Sequence, residues 1–417
     1  MAAVSDELLQ KIREALAGRL FARAADLCEL GLNQLPPPNE EETLRGLLAD
    51  ARRDLLPTLP PRIPPPEFWR GTEALGRGAL KEARGWFASA LEKEPACAEA
   101  HAHHGMALVG CGDFENGWEE FEWRRFLGWG ERRDMIAPYW DGTSVTGGPL
   151  LLWDEQGNGD AIQFIRFAVP AARRAAASVV FHGRPRLCRL FRSCPAIHRA
   201  IPRSDDFPRP SAHASLMSLP AILRAGATGE TVPYLFAEGA LVDEWRQRLL
   251  PLARPRIGLV WQGNPGYPFD AGRSFPLVSL LPVLRAFAAR AAFVSLQKGT
   301  GEEQLAALPA DVEVANVGVE VDRGDDAYVE TAAVLANLDL TITSDTSVAH
   351  LAGALGVRVW IVLGSGADWR WGEAPAATPF YPTARLFRRR RGEDWAPVMS
   401  RLADALGHFL ARRSALS

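Results

Sequence analysis

No apolar run in the chain approaches the ~18–20 residues needed to cross a bilayer as a helix, so no membrane span is expected. Cysteine is sparse. Cys28, Cys97, Cys111, Cys188 and Cys194 are odd in number and never form a C-x-x-C pair, the usage of buried or incidental thiols in a reducing compartment. Neither sign of charge is in excess. Against 47 Lys and Arg stand 50 Asp and Glu, and a net charge of -3 gives nucleic acid or an anionic membrane no basis as the main partner. The opening MAAVSDELLQKIREAL carries acidic residues and lacks an apolar core, so neither a secretory signal nor a transit peptide is expected, and the cytoplasm is the expected location. What is present is ordinary for a soluble globular chain: 47% hydrophobic and 23% charged residues. Its 417 residues suffice for two or three domains of ~100–200 residues each.

The first 130 or so residues carry a repeat. Gly71, Ala83 and Phe87 recur as Gly105, Gly117 and Phe121 at an offset of 34 residues, with Ala90 and Pro95 in register behind Phe87. A 34-residue period of small, aromatic, small and Pro is the tetratricopeptide pattern: small residues let antiparallel helices approach and the Phe fills the gap. A degenerate third copy is expected upstream at Ala24, Cys28, Gly31 and Pro36, followed by a helix-like stretch over 39–56 and a Pro-rich connector over 59–66. The repeats either cap the next domain or offer a concave surface to a protein or peptide. Downstream, Trp118, Phe121, Trp123, Phe126 and Trp129 fall at mixed helical spacings. They form either a stacking platform or an inward-facing interface between domains.

From Leu150 short apolar strands alternate with helices, the pattern of a parallel sheet covered on both faces. A first half predicts strands at 150–153, 178–181 and 197–201, and a helix over 162–177 broken near Pro170. A second half predicts strands at 256–261, 292–296, 312–317 and 340–343, with a helix at 302–308. Ligands of such sheets sit beyond the carboxyl ends of the strands. The polar corners fall there: 155–160, 262–273, 297–299, 344–347 and 364–371.

One stretch organises the second half. DLTITSDTSVAHLAGALG, Asp339 to Gly356, reads as a strand, a polar corner and an amphipathic helix ended by glycine. Ser344, Asp345, Thr346 and Ser347 are helix-start residues. A strand, a tight turn and an open helix N-terminus can hold a phosphate; an ordinary capped helix is the other reading.

WDEQGNGDAIQF, GLVWQGNP, RSFPL, FVSLQKG, the run from Tyr328 to Leu363, DWRW and FYPTARLFR resemble the tetratricopeptide-repeat glycosyltransferases of bacteria. Their catalytic part is similar to glycosyltransferase family 9, the heptosyltransferases. The resemblance implies an α plus α/β chain: helical repeats, then a GT-B fold of two Rossmann-like halves, with donor on the second half and acceptor on the first. It implies inverting transfer from a nucleotide sugar to a protein or glycan acceptor, with no metal and no further cofactor. Carried over residue by residue, it makes Asp160 the base, with helix capping as the alternative and Glu155 in reserve. Asp345, Thr346 and His350 form the nucleotide corner, with Thr346 and the helix N-terminus on phosphate and Asp345 on a cap or a hydroxyl. Asn264, Arg273, Gln297 and Lys298 complete the expected donor pocket, and Gly157, Gly159 and Gly263 shape the loops. Trp369 and Trp371 are packing candidates, and Arg388 to Arg391 a solvated face or a phosphate contact.

The expected domains are repeats over 1–135, halves over 148–250 and 254–385, and a helical tail over 386–417. Two other functions compete: a repeat-based binding scaffold with an inactive transferase-like domain, and another GT-B enzyme such as a sugar-nucleotide epimerase.

Overall fold

The computed structural model describes residues 6–17, 28, 43–44, 47, 64–127, 137–227, 229, 232–266 and 270–414. The upstream repeat copy apart from Cys28, nearly all of the two segments that follow it, and Trp129 lie outside them. The chain divides into two compact units, residues 1–75, 79–184 and 196–229, and residues 76–78, 185–195 and 230–417.

The first unit opens with helices α1 (Asp6–Ala17), α2 (Pro66–Gly76), α3 (Leu80–Lys93), α4 (Ala98–Gly110) and α5 (Phe114–Phe121). On α3, Leu80, Ala83, Phe87 and Ala90 recur at helical spacing and are buried. One contact explains the 34-residue period. A Cβ on Gly71 would meet the Phe87 ring at 2.5 Å, and one on Gly105 would meet the Phe121 backbone nitrogen at 2.5 Å. In both places only glycine lets the helices approach that closely. The Asp113 carboxylate caps α5 by accepting the Asn116 N–H at 3.4 Å. The aromatic run packs inward: Trp118, Phe121 and Trp123 are buried, and Trp118 meets Phe164 edge-on at 5.8 Å.

That contact ties the helices to a four-stranded parallel sheet of order β3-β2-β1-β4. Its strands are β1 (Leu150–Trp153), β2 (Val179–Gly183), β3 (Ile197–Pro202) and β4 (Ala212–Ser215). Every residue of β1, β2 and β4 is buried, as both faces being covered requires. After β1 come α6 (Asn158–Phe164), a 3₁₀ turn over Ile165–Phe167 and α7 (Ala168–Ala175). The predicted break therefore falls before Pro170, which sits in the first turn of α7, where a missing N–H costs nothing. Helix α8 (Pro185–Phe191), next after β2 in the chain, groups with the second unit, while α9 (Leu219–Leu223) follows β4.

The second unit holds a six-stranded parallel sheet of order β10-β9-β8-β5-β6-β7. In chain order its elements are α10 (Gly239–Arg248), β5 (Arg256–Val260), α11 (Asp270–Arg273), α12 (Leu281–Phe287), β6 (Ala292–Ser295) and β7 (Ala315–Asn316). Then come α13 (Val329–Ala336), β8 (Leu340–Ser344), α14 (Ser347–Ala354), β9 (Val359–Leu363), β10 (Ala384–Arg388) and α15 (Ala396–Ser414). The strand expected over 312–317 shrinks to β7's two residues, and the helix expected over 302–308 is a 3₁₀ turn. Residues 230–250, read from sequence with the first half, group with this unit. The Tyr234 N–H donates to the Ala354 carbonyl at 3.0 Å, and Asn337 Nδ2 donates to the Val242 carbonyl at 2.8 Å. Helix α15 buries Val398, Met399, Leu402, Leu406 and Leu410 in the same core as Trp360 and Phe387. Two of the expected run of arginines are structural. Arg388 braces the carbonyls of Trp371, Gly372 and Ala374, and Arg389 lies 4.5 Å over the Trp395 ring.

Two glycine substitutions separate these roles. Gly105→Ala should destabilise the helical region by about 1–3 kcal/mol through overpacking against backbone. Gly85→Ala, in α3 with nothing within 4 Å of its Cβ position, should stabilise it by about 1 kcal/mol through helix propensity. Hydrogen exchange of the α3–α5 amides reads both effects, and loss of protection of similar size in the two variants would refute the packing assignment.

Candidate active site

The carboxyl edge of the first sheet is built from charges held by charges. Glu155, just past β1, is buried; its Oε1 accepts from Arg124 Nη2 at 2.5 Å and also from the Ser215 hydroxyl. Arg124 is fully buried, sits in the 3₁₀ turn after α5, and donates to Ser218 Oγ at 2.8 Å and to Glu122 at 2.5 Å. Burial opposes its charged form, but Glu122 and Glu155 outweigh that and hold the guanidinium above its usual value. Glu155 thus serves as the counter-ion of a buried arginine. A carboxylate so engaged has a structural role and is poorly placed to take a proton from a substrate.

Asp160 lies at the third position of α6, partly exposed, and its Oδ2 accepts the Gly157 N–H at 2.7 Å. The capping alternative is therefore realised in this structure. Gly157 and Gly159 form the turn below it. Two arginines absent from the sequence reading stand at the same edge. Buried Asp154 forms an ion pair with Arg184 Nη1 at 2.8 Å and accepts from Arg203 Nη2 at 3.4 Å. A Cβ on Gly183 would fall 2.2 Å from Asp154 Oδ1, so a side chain there would expel that carboxylate.

In the second unit the strand ends gather a different set. Strand β8 ends at Ser344, and Thr346 caps α14 with extended backbone and no side-chain cap hydrogen bond. Among the first N–H groups of α14, that of Ala349 donates to the Thr346 carbonyl at 3.0 Å. Thr346 Oγ1 lies 3.2 Å from Thr343 Oγ1. The buried Ser344 hydroxyl has no hydrogen-bond partner among the described residues. His350, one turn on, is buried, with Nδ1 2.9 Å from the Tyr381 hydroxyl and its ring stacked on Trp371 at 5.2 Å. Tyr381 fits because residue 353 is glycine, whose Cβ position lies 2.3 Å from the Tyr381 ring.

Asp345 is partly exposed but closely enclosed, and its carboxyl is pushed up to about 6. Burial is the main cause and the Asp368 carboxylate the second; the Trp371 indole, Arg273 and Arg370 oppose them. Arg273 reaches this group because the loop after β9 packs on α11: a Cβ on Gly364 would sit 1.6 Å from the Gly272 carbonyl oxygen. Arg273 itself is steadied by Asp270, Nε to Oδ1 at 3.1 Å, and Arg370 by Asp368 at 3.0 Å. Arg273, Asp345, Thr346 and His350 are thus brought together, joined by Asp368, Arg370, Trp371 and Tyr381, which the sequence reading left out of the site.

The other expected donor contacts are occupied by protein. Gln297 is buried; its Oε1 accepts the Trp261 and Gln262 N–H groups at 3.1 and 3.0 Å, and its Nε2 donates to Gln262 and Thr300 carbonyls at 3.1 and 2.8 Å. It clamps the β5 and β6 ends together and has no amide capacity left for a ligand. Lys298 Nζ donates to the carbonyls of Val321, at 2.5 Å, and Asp322, so it holds the loop after β7. Asn264 is exposed and closes a turn by accepting the Gly266 N–H at 2.9 Å. Gly263 packs against Asp270, whose Oδ1 lies 2.5 Å from its Cβ position. Among the described residues no group of three or more His, Cys, Asp and Glu side chains could hold a metal ion.

No family model matches the chain. It is similar to protein FlbA of Caulobacter vibrioides, 28% identical over an alignment of 335 residues that covers 73% of this chain and 54% of that protein. The chain thus spans about half the length of the curated relative it matches. Among solved structures it is similar to the ADP-heptose lipopolysaccharide heptosyltransferase II of E. coli, at 15% identity and a TM-score of 0.46, over 64% of this chain and 99% of that one. A glycosyltransferase family 9 structure from Veillonella parvula aligns at 10% identity and a TM-score of 0.47, over 66% and 100%. The dodecameric iron-containing glycosyltransferase TibC of enterotoxigenic E. coli aligns at 13% and 0.41, over 66% and 78%.

The Asp345 shift carries a stability prediction. Its folded value of about 6 lies above the ordinary carboxyl value of 3.8, so the folded chain holds this proton more tightly than the unfolded chain. The stability it contributes is complete below that ordinary value and is lost as pH rises through about 6. Asp345→Asn should therefore stabilise the protein by about 1–2 kcal/mol at about pH 7.5 and leave it nearly unchanged at about pH 4. Thermal unfolding at the two pH values checks this; an equal effect at both would mean Asp345 does not titrate as described.

Proposed function

We propose that this chain is a GT-B glycosyltransferase that moves a sugar from a nucleotide-sugar donor to a protein or glycan acceptor. The observation that carries the reading is the β8–α14 corner: an open helix N-terminus flanked by Arg273 and Arg370, with His350 on the same helical face. Such a corner suits a diphosphate, because free N–H groups and guanidinium groups meet its oxygens. In transfer, an acceptor hydroxyl attacks the anomeric carbon as the bond to the diphosphate breaks, and configuration inverts. Negative charge grows on the departing nucleoside diphosphate, where the same donors stabilise it most. The proton from the acceptor hydroxyl passes to the Asp160 carboxylate. No metal is required, since the arginines and the helix supply the positive charge. The helices of the first unit are read as tetratricopeptide-like repeats that recruit the acceptor or a partner, in the cytoplasm.

The Asp160–Gly157 hydrogen bond favours one alternative, a repeat-bearing scaffold whose transferase-like domain is inactive. The two readings part on two measurements. Under the enzyme reading a nucleoside diphosphate without added metal raises the melting temperature, with stabilisation of about 2.7 kcal/mol at a hundredfold excess over Kd. A screen of UDP, GDP, ADP and CMP in which none shifts the transition counts against donor binding. Asp160→Asn should keep that shift while transfer falls by about 100-fold or more. Transfer at the wild-type rate would remove Asp160 from the base role.

A further inference from the structure

The segment that carries Asp160 is held at both ends by residues of the N-terminal helical region. At its start, Glu155 accepts from Arg124 Nη2 at 2.5 Å, and the same guanidinium reaches Ser218 Oγ at 2.8 Å in the turn after β4. At its end, the Phe164 ring of α6 meets Trp118 of α5 edge-on at 5.8 Å. Both contacts are dry: Arg124, Glu155, Trp118 and Phe164 are each at most 4% exposed.

The backbone between these two points is strained at its first step. Gln156 takes φ +57°, a left-handed conformation that a residue with a side chain keeps only where its surroundings fix it. Arg184 donates to the Gln156 carbonyl, and the Asp160 carboxylate accepts the Gly157 N–H at 2.7 Å. Asp160 therefore takes its place from a turn whose start is set by Glu155. Glu155 is set in turn by Arg124 and by the Ser215 hydroxyl; the Ser215 N–H donates to the Tyr139 hydroxyl at 3.3 Å, and the Arg125 guanidinium lies 3.9 Å over the Tyr139 ring. A planar guanidinium paired with a carboxylate fixes direction as well as distance.

We propose that Arg124 and Trp118 are positioning residues for Asp160, so that the N-terminal helices act on the reaction itself through the β1–α6 corner. The proposal rests on the transferase reading, in which Asp160 takes the acceptor proton. Arg124 and Trp118 act only through the segment they hold. The effect is large because a reacting group misplaced by about 1 Å loses about 100-fold in rate.

The test uses the full chain and the double variant Arg124→Met/Glu155→Met, which removes the buried pair without stranding either charge. Amides of residues 157–164 should exchange about tenfold faster or more in the variant, while those of β2 keep their protection. Trp118→Leu should speed the same amides from the α6 end. Turnover is then measured on the nucleotide sugar whose nucleoside diphosphate raises the melting temperature. It should fall about tenfold or more per donor-binding site, counted by titration calorimetry, with donor KM within about twofold. Loss of folded protein alone would lower the number of sites and leave the rate per site unchanged. Arg124→Lys, which keeps the charge but not the fork, should fall between wild type and the double variant in both measurements, and it carries the test if the double variant fails to fold. Unchanged exchange over 157–164 in these variants, or an unchanged rate per site, overturns the proposal. A wild-type chain that binds no nucleoside diphosphate overturns the transferase reading instead, and the exchange measurement then decides by itself whether the helices hold the segment.

Discussion

A parallel sheet covered on both faces has only its two edges for polar side chains, and the rest of this structure follows from that constraint. The strands β1, β2, β5, β8 and β9 are buried at every residue, so the side chains along their middles serve the core. Charge is displaced to the ends. At one edge of the second sheet stand Arg273, Asp345, Thr346 and Arg370; at the other stand Asp339 and its arginines.

Crowding charges at a sheet edge requires that most of them be neutralised there. The first sheet does so with Arg124–Glu155 and with Asp154 between Arg184 and Arg203. A buried pair of this kind adds little net stability over an apolar contact, but losing one partner strands the other charge and is costly. Arg124 has a further effect. It comes from the helical region yet ends on Ser218 and Glu155, so the N-terminal helices and the β1 corner share one buried network. Gln297 performs the neutral version of this task in the second sheet, closing three hydrogen bonds between the β5 and β6 ends and a fourth to the Thr300 carbonyl.

The β8–α14 corner gathers charges of both signs. Asp345 and Asp368 face two arginines, His350 is held by Tyr381 and Trp371, and the N-terminus of α14 has no side-chain cap. Groups held in position need little reordering when they act on a partner. That is the physical link between the packing of Tyr381 against Gly353 and the function proposed for the corner.

Much of this was legible in the sequence. Periodicity and turn chemistry were enough to predict both α/β halves, most strands within a residue or two, the strand–corner–helix stretch from Asp339 to Gly356, and the recurrent Gly–Phe pairing in the helices. These depend on neighbours along the chain, which is what a sequence pattern encodes. Residue type also marked the polar corners. It could not say which polar side chain at a corner is free. Gln297, Lys298 and Glu155 have the chemistry of ligands, yet a carbonyl of Val321, an N–H of Trp261 or the guanidinium of Arg124 takes each of them. Those partners lie 23, 36 and 31 residues away in the chain. Asp368, Arg370 and Tyr381 joined the corner for the same reason: glycines at 353 and 364 let distant backbone and ring approach. Where strands begin and end was written locally. Which charges are spent and which remain was decided only when the chain closed on itself.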